Sequence, residues 1–459
     1  MTIAQQLASF VNETNGVPET TRAMAASAIF DLITAAIVGH DSAGGRSARL
    51  AAPLIWGNGR ASSWFSPTRL TVPGAAFANS AIASMLDLDD GHRAAAGHPG
   101  ASIVPAVLAT AEVYGADADR VLTAIALGYE IAVRIAAARD LGNLDTLVSG
   151  PWCGQGAAAA AGWLRGLTPD DLAQALAIAG SSAPNLTAVA YSRVMGNHVK
   201  EGIPWATATG LAAVDLAATG FTGPLDLYDH EDHYDPAKLS HGLGNSWLID
   251  SVYFKPYSCC RWAHAAIDAL IELQVEGAIP ASEIEAIEVH TFGRALRLNN
   301  DLAPANLEAA QYSLPFCIAL VALRGTGALL PLREGSLADR EVLALAERVH
   351  LQVDPQLDAM FSEAVPARLE VVMPQGRVTR TVITPKGEAA NPMTRADLRA
   401  KFDIATASLV EGDLVSSLLD AVGAFENGDI QPLFAALATP LGDQGLQEIP
   451  DLAVRKARS

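Results

Sequence analysis

Basic residues are scarce in this sequence of 459 residues. It holds 31 Lys and Arg against 50 Asp and Glu, which gives a formal net charge of −19. Nucleic-acid binding requires a basic surface, and no long cluster of Lys and Arg is present. We therefore expect no nucleic-acid partner. An anionic substrate would have to be held by a few cations that act locally against the overall field.

Cysteine and long apolar runs are also scarce. Four cysteines are too few for a disulfide scaffold in a chain of this length, and Cys259 and Cys260 are adjacent, which makes a bond between them awkward. The N-terminus has no basic, apolar leader, and no run of about 18 apolar residues is free of charges or Gly/Pro breaks. We therefore expect a cytoplasmic protein with reduced thiols and no membrane partner.

The length and the hydrophobic pattern predict two domains. Hydrophobic residues make up 50% and charged residues 18%, which is typical of a globular enzyme. The first part is rich in Ala and Leu at helical spacing, whereas segments 284–291, 350–353, 368–373 and 377–383 alternate as strands do. The last two strands predict a hairpin across 374–376. We expect a mainly α fold with a helical part at 1–252, an α+β part at 253–392 and helices at 393–459 that return to the first part.

Residues 85–102, MLDLDDGHRAAAGHPGAS, are the strongest candidate for a functional site. They hold Asp87, Asp89, Asp90, His92 and His98 in an irregular connection between two predicted helices. A histidine titrates near neutral pH, and a nearby carboxylate can orient it for acid–base work. The alternative is a solvated helix end with a loop histidine. A metal site lacks any specific ligand spacing here, so we predict none.

Two later segments carry the cations that an anionic substrate would need. Lys200 precedes Gly-Ile-Pro at a helix entrance, and FKPYSCCRWAH places Lys255, Arg261 and His264 close together. Arg and Lys bind carboxylates as a planar fork and as a point charge. The alternatives are an exposed loop lysine and a basic surface patch. Cys260 could also be a nucleophile with a lowered pKa, although no third group supports a triad.

Smaller predictions concern single side chains. Tyr312, in QYSLPF, could donate a hydrogen bond to a ligand, or could simply pack. Cys259 and Cys317 are expected to be small buried residues. Ser102 is predicted to cap a helix, and so is Thr168.

With these motifs in place, the chain resembles the MmgE/PrpD family, which includes 2-methylcitrate dehydratases, cis-aconitate decarboxylases and iminodisuccinate epimerases. The resemblance covers nearly the full length and rests on MLDLDDGH…GHPGASIVPAVLATAE, LTPDDLAQALAIAGSSA, VKEGIPWATATG…GFTGP, FKPYSCCRWAHAAIDAL and QYSLPF. It implies a large helical domain, a smaller α+β lid, a homodimer and an active site between domain and lid. It also implies no metal or organic cofactor, and proton abstraction next to a carboxylate.

The resemblance also implies roles for single residues. Asp87 and His98 match the acid and the histidine of the family's active-site loop, and Lys200 and Lys255 match its two lysines. We therefore predict a cofactor-independent lyase of the hydratase/dehydratase type, similar to 2-methylcitrate dehydratase, that acts on a small di- or tricarboxylate. The alternatives are an isomerase or epimerase, a decarboxylase of the same family, and a carboxylate-binding homologue without catalysis.

Some positions depart from the decarboxylase pattern. Gly91, Cys260 and Phe316 stand where decarboxylases carry Thr, His and Tyr, and no histidine occurs near Leu147, where they carry another. These departures predict a substrate that differs from that of the better-known relatives. Beside the four catalytic candidates, the residues predicted to bind substrate are Arg261, Cys260, His264, Gly91, His92 and Tyr312.

Overall fold

The structure is a computed structural model that describes residues 1–144, 147–184, 196–277, 279–407, 409–410 and 412–441. The C-terminal segment predicted to run to residue 459 therefore lies partly outside the described residues. Within them, 18 α-helices dominate, so the mainly α prediction is confirmed. The helices are α1 (Ile3–Glu13), α2 (Glu19–Gly39), α3 (Ala43–Trp56), α4 (Val72–Ser84), α5 (Gly100–Tyr114), α6 (Ala118–Ala137), α7 (Gly150–Arg165), α8 (Pro169–Ser181), α9 (Ile203–Ala218), α10 (Pro236–Ser240), α11 (His264–Val275), α12 (Leu307–Ala310), α13 (Leu314–Arg324), α14 (Arg340–Ala346), α15 (Pro355–Asp358), α16 (Arg395–Thr406), α17 (Gly412–Glu426) and α18 (Gln431–Leu437).

Capping side chains explain where several helices begin. Thr168 accepts a hydrogen bond from the Asp171 backbone N–H and starts α8 as predicted. The Ser102 prediction is wrong, because α5 already begins at Gly100 and Ser102 lies buried inside it. There its hydroxyl donates to the carbonyl of Cys153 on α7. A serine before an apolar run is thus a packing contact between helices here.

Close approach of alanine- and glycine-rich helices builds the helical part. A Cβ on Gly154 of α7 would lie 2.5 Å from the carbonyl oxygen of Ala206 on α9, and one on Gly210 would lie 2.2 Å from that of Gly154. Glycine at both positions lets the two backbones meet. Helix α2 is long and apolar enough to cross a membrane by length and composition alone, yet 78% of its apolar window is buried inside the protein.

The sheets are small. The largest has four strands in the order β6-β5-β7-β8, where β5 (Ala286–Thr291) pairs in parallel with β6 (Val349–Val353) and antiparallel with β7 (Ala367–Met373). The predicted hairpin is confirmed by β7 and β8 (Gly376–Val382), which pair from Met373↔Gly376 onward. Two short pairs join β1 (Asn58–Ser62) to β2 (Arg69–Leu70) and β3 (Gly91–His92) to β4 (Val252–Tyr253).

Two hydrophobic cores form within the described residues. One gathers residues between 3 and 254 together with residues between 398 and 441, so the C-terminal helices pack with the N-terminal part. The other is drawn mainly from residues 257–382 and includes residues of all four strands β5 to β8, of α11 and of α13. The exact domain boundaries, and the motion of the second part as a lid, stay predictions.

Candidate active site

The loop between α4 and α5 carries the acidic and histidine side chains and is fixed by backbone geometry. Asp87 adopts a left-handed conformation with φ +54°, which costs about 1–2 kcal/mol for a residue other than glycine. Farther along, Gly91 and His92 pair with Tyr253 and Val252 as a two-stranded bridge. The strained turn directs the Asp87 side chain inward, and the bridge ties the loop to the segment that leads to Lys255.

Asp87 is buried between two lysines from distant segments. The Lys255 Nζ lies 3.0 Å from Asp87 Oδ2 and also donates to the Asp87 carbonyl at 3.0 Å, while the Lys200 Nζ lies 3.5 Å from Oδ1. Burial alone would raise the pKa of Asp87, but Lys255 and Lys200 outweigh it and hold this pKa well below its usual range. Burial likewise opposes the charge on Lys255, and Asp87 overcomes it, so the pKa of Lys255 is raised.

His98 lies beside this cluster with one ring nitrogen fixed and one open. Its Nδ1–H donates to the Asp90 carbonyl at 2.8 Å, and Asp89 Oδ2 lies 3.3 Å from the same nitrogen. Its Nε2 is 3.7 Å from Asp87 Oδ1, beyond hydrogen-bond length. Burial and Lys255 lower the pKa of His98, but Asp89 and Glu201 outweigh them and raise it to about 9. His98 is therefore an imidazolium at neutral pH, with Nε2–H available.

Lys200 is directed by a second strained turn. Lys200 and Glu201 have φ +45° and +58°, and Gly202 follows with φ +75° before α9 begins. The Lys200 Nζ donates to Gln311 Oε1 at 3.1 Å and to the Tyr312 hydroxyl at 3.3 Å. Because Tyr312 accepts from the lysine, its own O–H remains available to donate to a ligand. Burial raises the pKa of Tyr312, which keeps this phenol neutral.

Tyr312 is the tyrosine whose hydroxyl contacts Lys200 in this cluster. Phe316, which sequence comparison placed at the position of the decarboxylase tyrosine, is fully buried in the second core.

Arg261 does not face an open site. Its Nε and one terminal nitrogen contact Glu388 at 3.0 and 2.9 Å, and its other donors reach the carbonyls of Pro385 and Lys386 and the Nδ1 of His264. The Nε and both terminal nitrogens of Arg261 are thus engaged within the protein. This geometry does not support the prediction that Arg261 binds the substrate carboxylate, since a substrate would first have to displace Glu388.

His264 and His92 are also engaged at both ring nitrogens. His264 accepts from Arg261 at Nδ1 and donates from Nε2 to the Cys259 carbonyl at 3.2 Å. His92 accepts from the Ala94 backbone N–H and donates to the Leu248 carbonyl at 3.0 Å. Burial lowers the pKa of both, and that of His92 falls to about 4. Both rings are neutral and contact groups within the protein, and a contact of either ring with the substrate stays a prediction.

Cys260 is not an activated nucleophile. Burial and Asp87 raise the pKa of its thiol to about 12, so the lowered pKa considered from the sequence is wrong. Its backbone N–H donates to the Gln311 carbonyl at 2.9 Å, which places it next to the Lys200 contacts. A role as a neutral lining residue stays a prediction. Cys259 and Cys317 are fully buried, as predicted.

Gly91 makes room for an aromatic ring. A Cβ at this position would lie 2.3 Å from the hydroxyl-bearing end of Tyr253. That ring is held between Arg93 and Arg261, whose guanidinium carbons are 4.9 and 4.8 Å from its centroid. The absence of a side chain at Gly91 is therefore a packing requirement of Tyr253, and its contact with substrate stays a prediction.

Sequence reasoning missed several residues that support the site. Glu201 accepts hydrogen bonds from Ser149 and faces His98, and Gln311 holds Lys200. No pattern in the sequence indicated them, although Glu201 is next to Lys200. A buried pair also lies beneath the loop: the Lys401 Nζ donates to Asp31 at 2.6 Å and to the Leu88 carbonyl at 3.0 Å. Asp31 had a signal, since it is the only charged residue in the apolar stretch 23–39 of α2.

Asp87, Asp89 and His98 offer ligand atoms within 4.8 Å of one another, close enough to reach one metal ion. The donor set fits a divalent ion poorly, however. Two ammonium groups already neutralise Asp87, and the Nδ1 of His98 is protonated toward Asp90. That no metal takes part stays a prediction.

In this mainly helical protein, Lys200, Lys255 and His98 surround the buried carboxylate of Asp87. Such a site is typical of proteins that bind small anionic ligands. Family models narrow the class: the MmgE/PrpD N-terminal domain matches residues 5–240 and the MmgE/PrpD C-terminal domain matches residues 257–424. The chain belongs to the MmgE/PrpD family, so the resemblance seen in the sequence is confirmed.

Curated relatives are similar at low identity. A cis-aconitate decarboxylase from Aspergillus terreus is 27% identical over 80% of this chain and 81% of its own length. One from Homo sapiens is 25% identical over 79% of each chain. A cis-aconitate decarboxylase-like protein from Aspergillus oryzae is 30% identical over 44% of this chain and 46% of its own length. Together, family and relatives support an enzyme that acts on a carboxylate.

Proposed function

We propose that this protein is a carboxy-lyase that removes CO2 from a small unsaturated di- or tricarboxylate. The observation that carries the proposal is the pairing of an imidazolium, His98, with two lysines in one buried cluster. The 3.5 Å contact between Lys200 and Asp87 is the longest that this lysine makes, so a substrate carboxylate can replace it. Tyr312 can then donate its O–H to the same anion.

The protonation of the site favours loss of CO2. A carboxylate that leaves as CO2 deposits its bonding electron pair on carbon, and the allylic carbanion that forms must take up a proton. His98 Nε2–H is placed to give that proton, and Lys200 and Lys255 stabilise the anionic charge on the remaining carboxylates. No strong base is needed. This suits an Asp87 that its two lysines hold as a weak base.

Dehydration, the reaction predicted from the sequence, is the second candidate. In that reaction His98 would protonate a leaving hydroxyl while a base removes a proton from carbon. The 3.7 Å between His98 Nε2 and Asp87 Oδ1 supports it, because acid and base would lie on one side of the substrate. The low basicity of Asp87 makes it the weaker candidate.

The experiment is a product analysis. The purified protein is incubated with a panel of small carboxylates that includes cis-aconitate, citrate and 2-methylcitrate, and products are identified by mass spectrometry together with released CO2. We expect CO2 and a product one carbon shorter. Loss or gain of water would instead establish a hydratase, unchanged composition an isomerase, and binding without turnover a carboxylate-binding homologue. His98→Gln should abolish turnover, whereas His233→Gln, in an exposed loop, serves as the matched control.

We further propose that the enzyme works as a homodimer without a resident cofactor. The family resemblance supports both points, and the charge compensation within the site means that its buried groups need no metal to balance them. Light scattering after size exclusion should give twice the chain mass of 47.8 kDa. Turnover should survive exhaustive chelation and dialysis.

A further inference from the structure

Glu201 lies beside the open edge of His98, on the turn that also carries Lys200. Its Oε2 accepts hydrogen bonds from the Ser149 backbone N–H at 3.0 Å and from the Ser149 hydroxyl at 2.8 Å. Ser149 Oγ in turn accepts from the His98 backbone N–H at 2.9 Å. Glu201 Oε1 is thereby aimed at His98 Nε2, 4.0 Å away. The Glu201 carboxylate and the His98 backbone are thus both held by Ser149.

The turn that presents Glu201 is costly to form. Two consecutive residues other than glycine in the left-handed region, Lys200 and Glu201, cost about 1–3 kcal/mol each. Such strain persists only where the surroundings fix it, and here the fixed contacts are those of Lys200 with Asp87 and of Glu201 with Ser149. One turn therefore aims two charged side chains at the same cluster.

Exposure separates Glu201 from the other carboxylates around His98. The Glu201 side chain is 16% exposed, against 10% for His98 and 4% for Asp87. Among the carboxylates that the structure places near Nε2, Glu201 thus has the better access to solvent. Charged groups that face His98 are Asp87 and Asp89 from its own loop, Glu201 from the turn and Lys255 from the segment after β4, with Lys200 behind Asp87.

We propose that Glu201 is a positioning residue that keeps His98 protonated at Nε2 and returns a proton to it after each turnover. The proposal rests on the proposed function in one respect: each decarboxylation consumes the Nε2 proton, which passes to the substrate carbon as CO2 leaves. The neutral imidazole must then be reprotonated. A proton taken from water by the Glu201 carboxylate and passed to Nε2 restores the starting state, and the net reaction consumes one proton for each CO2 released.

The first test needs no substrate. The pKa of His98 is measured by NMR on protein with 13C-labelled histidine, and its signal is assigned through its loss in His98→Gln. An opposite charge at this distance shifts a pKa by about 1–3 units, so Glu201→Gln should lower the pKa of His98 by about one unit or more. Ser149→Ala keeps the charge but frees the carboxylate, and should give a smaller shift.

Glu112 offers a matched control. It accepts from the backbone N–H and the hydroxyl of a single serine, Ser62, at 2.7 and 2.6 Å, as Glu201 does from Ser149, although Glu112 uses both carboxylate oxygens and also pairs with Arg69. Glu112→Gln therefore removes the same kind of contact away from His98 and should leave its pKa unchanged. A His98 pKa in Glu201→Gln equal to that in the control would overturn the proposal. If Glu201→Gln does not fold, Glu201→Asp, which withdraws the charge from His98, must lower the pKa instead.

The second test uses turnover. In Glu201→Gln the alkaline limb of the plot of kcat against pH should move to lower pH, with little change in KM. The reason is that His98, with a lowered pKa, is deprotonated at a lower pH than in the wild type. Glu112→Gln should keep the wild-type profile. An unchanged profile overturns the role of Glu201 even when decarboxylation is observed. If the protein proves not to be a decarboxylase, the NMR experiment still tests whether Glu201 raises the pKa of His98, because it uses no substrate.

Discussion

The charge on His98 gives the most quantitative prediction. The structure raises its pKa from 6.5 to about 9. A group whose pKa is higher in the folded protein than in the unfolded chain stabilises the fold while it is protonated in both states. This contribution is fully present below about pH 6.5 and is lost as pH rises through about 9. A shift of this size corresponds to about 3 kcal/mol, since one pKa unit equals ~1.36 kcal/mol.

The assay compares wild type with His98→Gln by urea unfolding at a series of pH values from about 6 to about 9.5, a range that spans the two pKa values. Other groups titrate in both proteins and largely cancel in the difference. We expect the stability of wild type relative to the variant to fall by up to about 3 kcal/mol across this range. A difference that stays constant with pH would refute the view that His98 is an imidazolium in the resting enzyme.

Three further predictions concern the surroundings of the site. Lys401→Met leaves Asp31 buried without its partner, so the unfolding free energy should fall by about 3–5 kcal/mol in denaturant titration, and a loss below ~1 kcal/mol would contradict this. Gly91→Ala drives a methyl group into the Tyr253 ring and should cost about 1–3 kcal/mol, which Tyr253→Leu in the same chain should relieve. Tyr312→Phe removes the O–H that we propose donates to the substrate, together with one acceptor of Lys200, so kcat/KM should fall by about tenfold or more while stability falls by only ~1 kcal/mol; full activity would exclude Tyr312 from the site.

Local sequence patterns predicted the elements that depend on local physics. The hairpin across 374–376 follows from turn chemistry, and the Thr168 cap follows from the side-chain oxygen that starts a helix. Ser102 shows the limit: it has the chemistry of a cap, but contact with α7 decides its role. A contact between helices is set by tertiary packing, which a single segment does not encode.

The site was only partly predictable, because local sequence indicates candidate residues but not their tertiary contacts. Asp87, His98, Lys200 and Lys255 were each chosen from their own segments, and the structure brings them together. Arg261 looked free because its partner, Glu388, is 127 residues away in the chain. Glu201 was overlooked because its importance lies in contacts with Ser149 and His98, which are remote in sequence. The residue types therefore indicated acid–base chemistry on an anion. Which cations can reach a substrate depends on ion pairs between residues far apart in the chain, and these the sequence does not show.

The central claim is that this buried cluster removes CO2 and delivers one proton from His98 to carbon. The most direct test is turnover, in D2O, of the unsaturated carboxylate that the product panel identifies as substrate, labelled with 13C in its carboxylates. The account predicts labelled CO2 and a shorter product that carries a single deuterium on carbon, both absent in His98→Gln and present in His233→Gln. Release of CO2 at the wild-type rate by His98→Gln, or a product that gains or loses water and keeps every carbon, would contradict it.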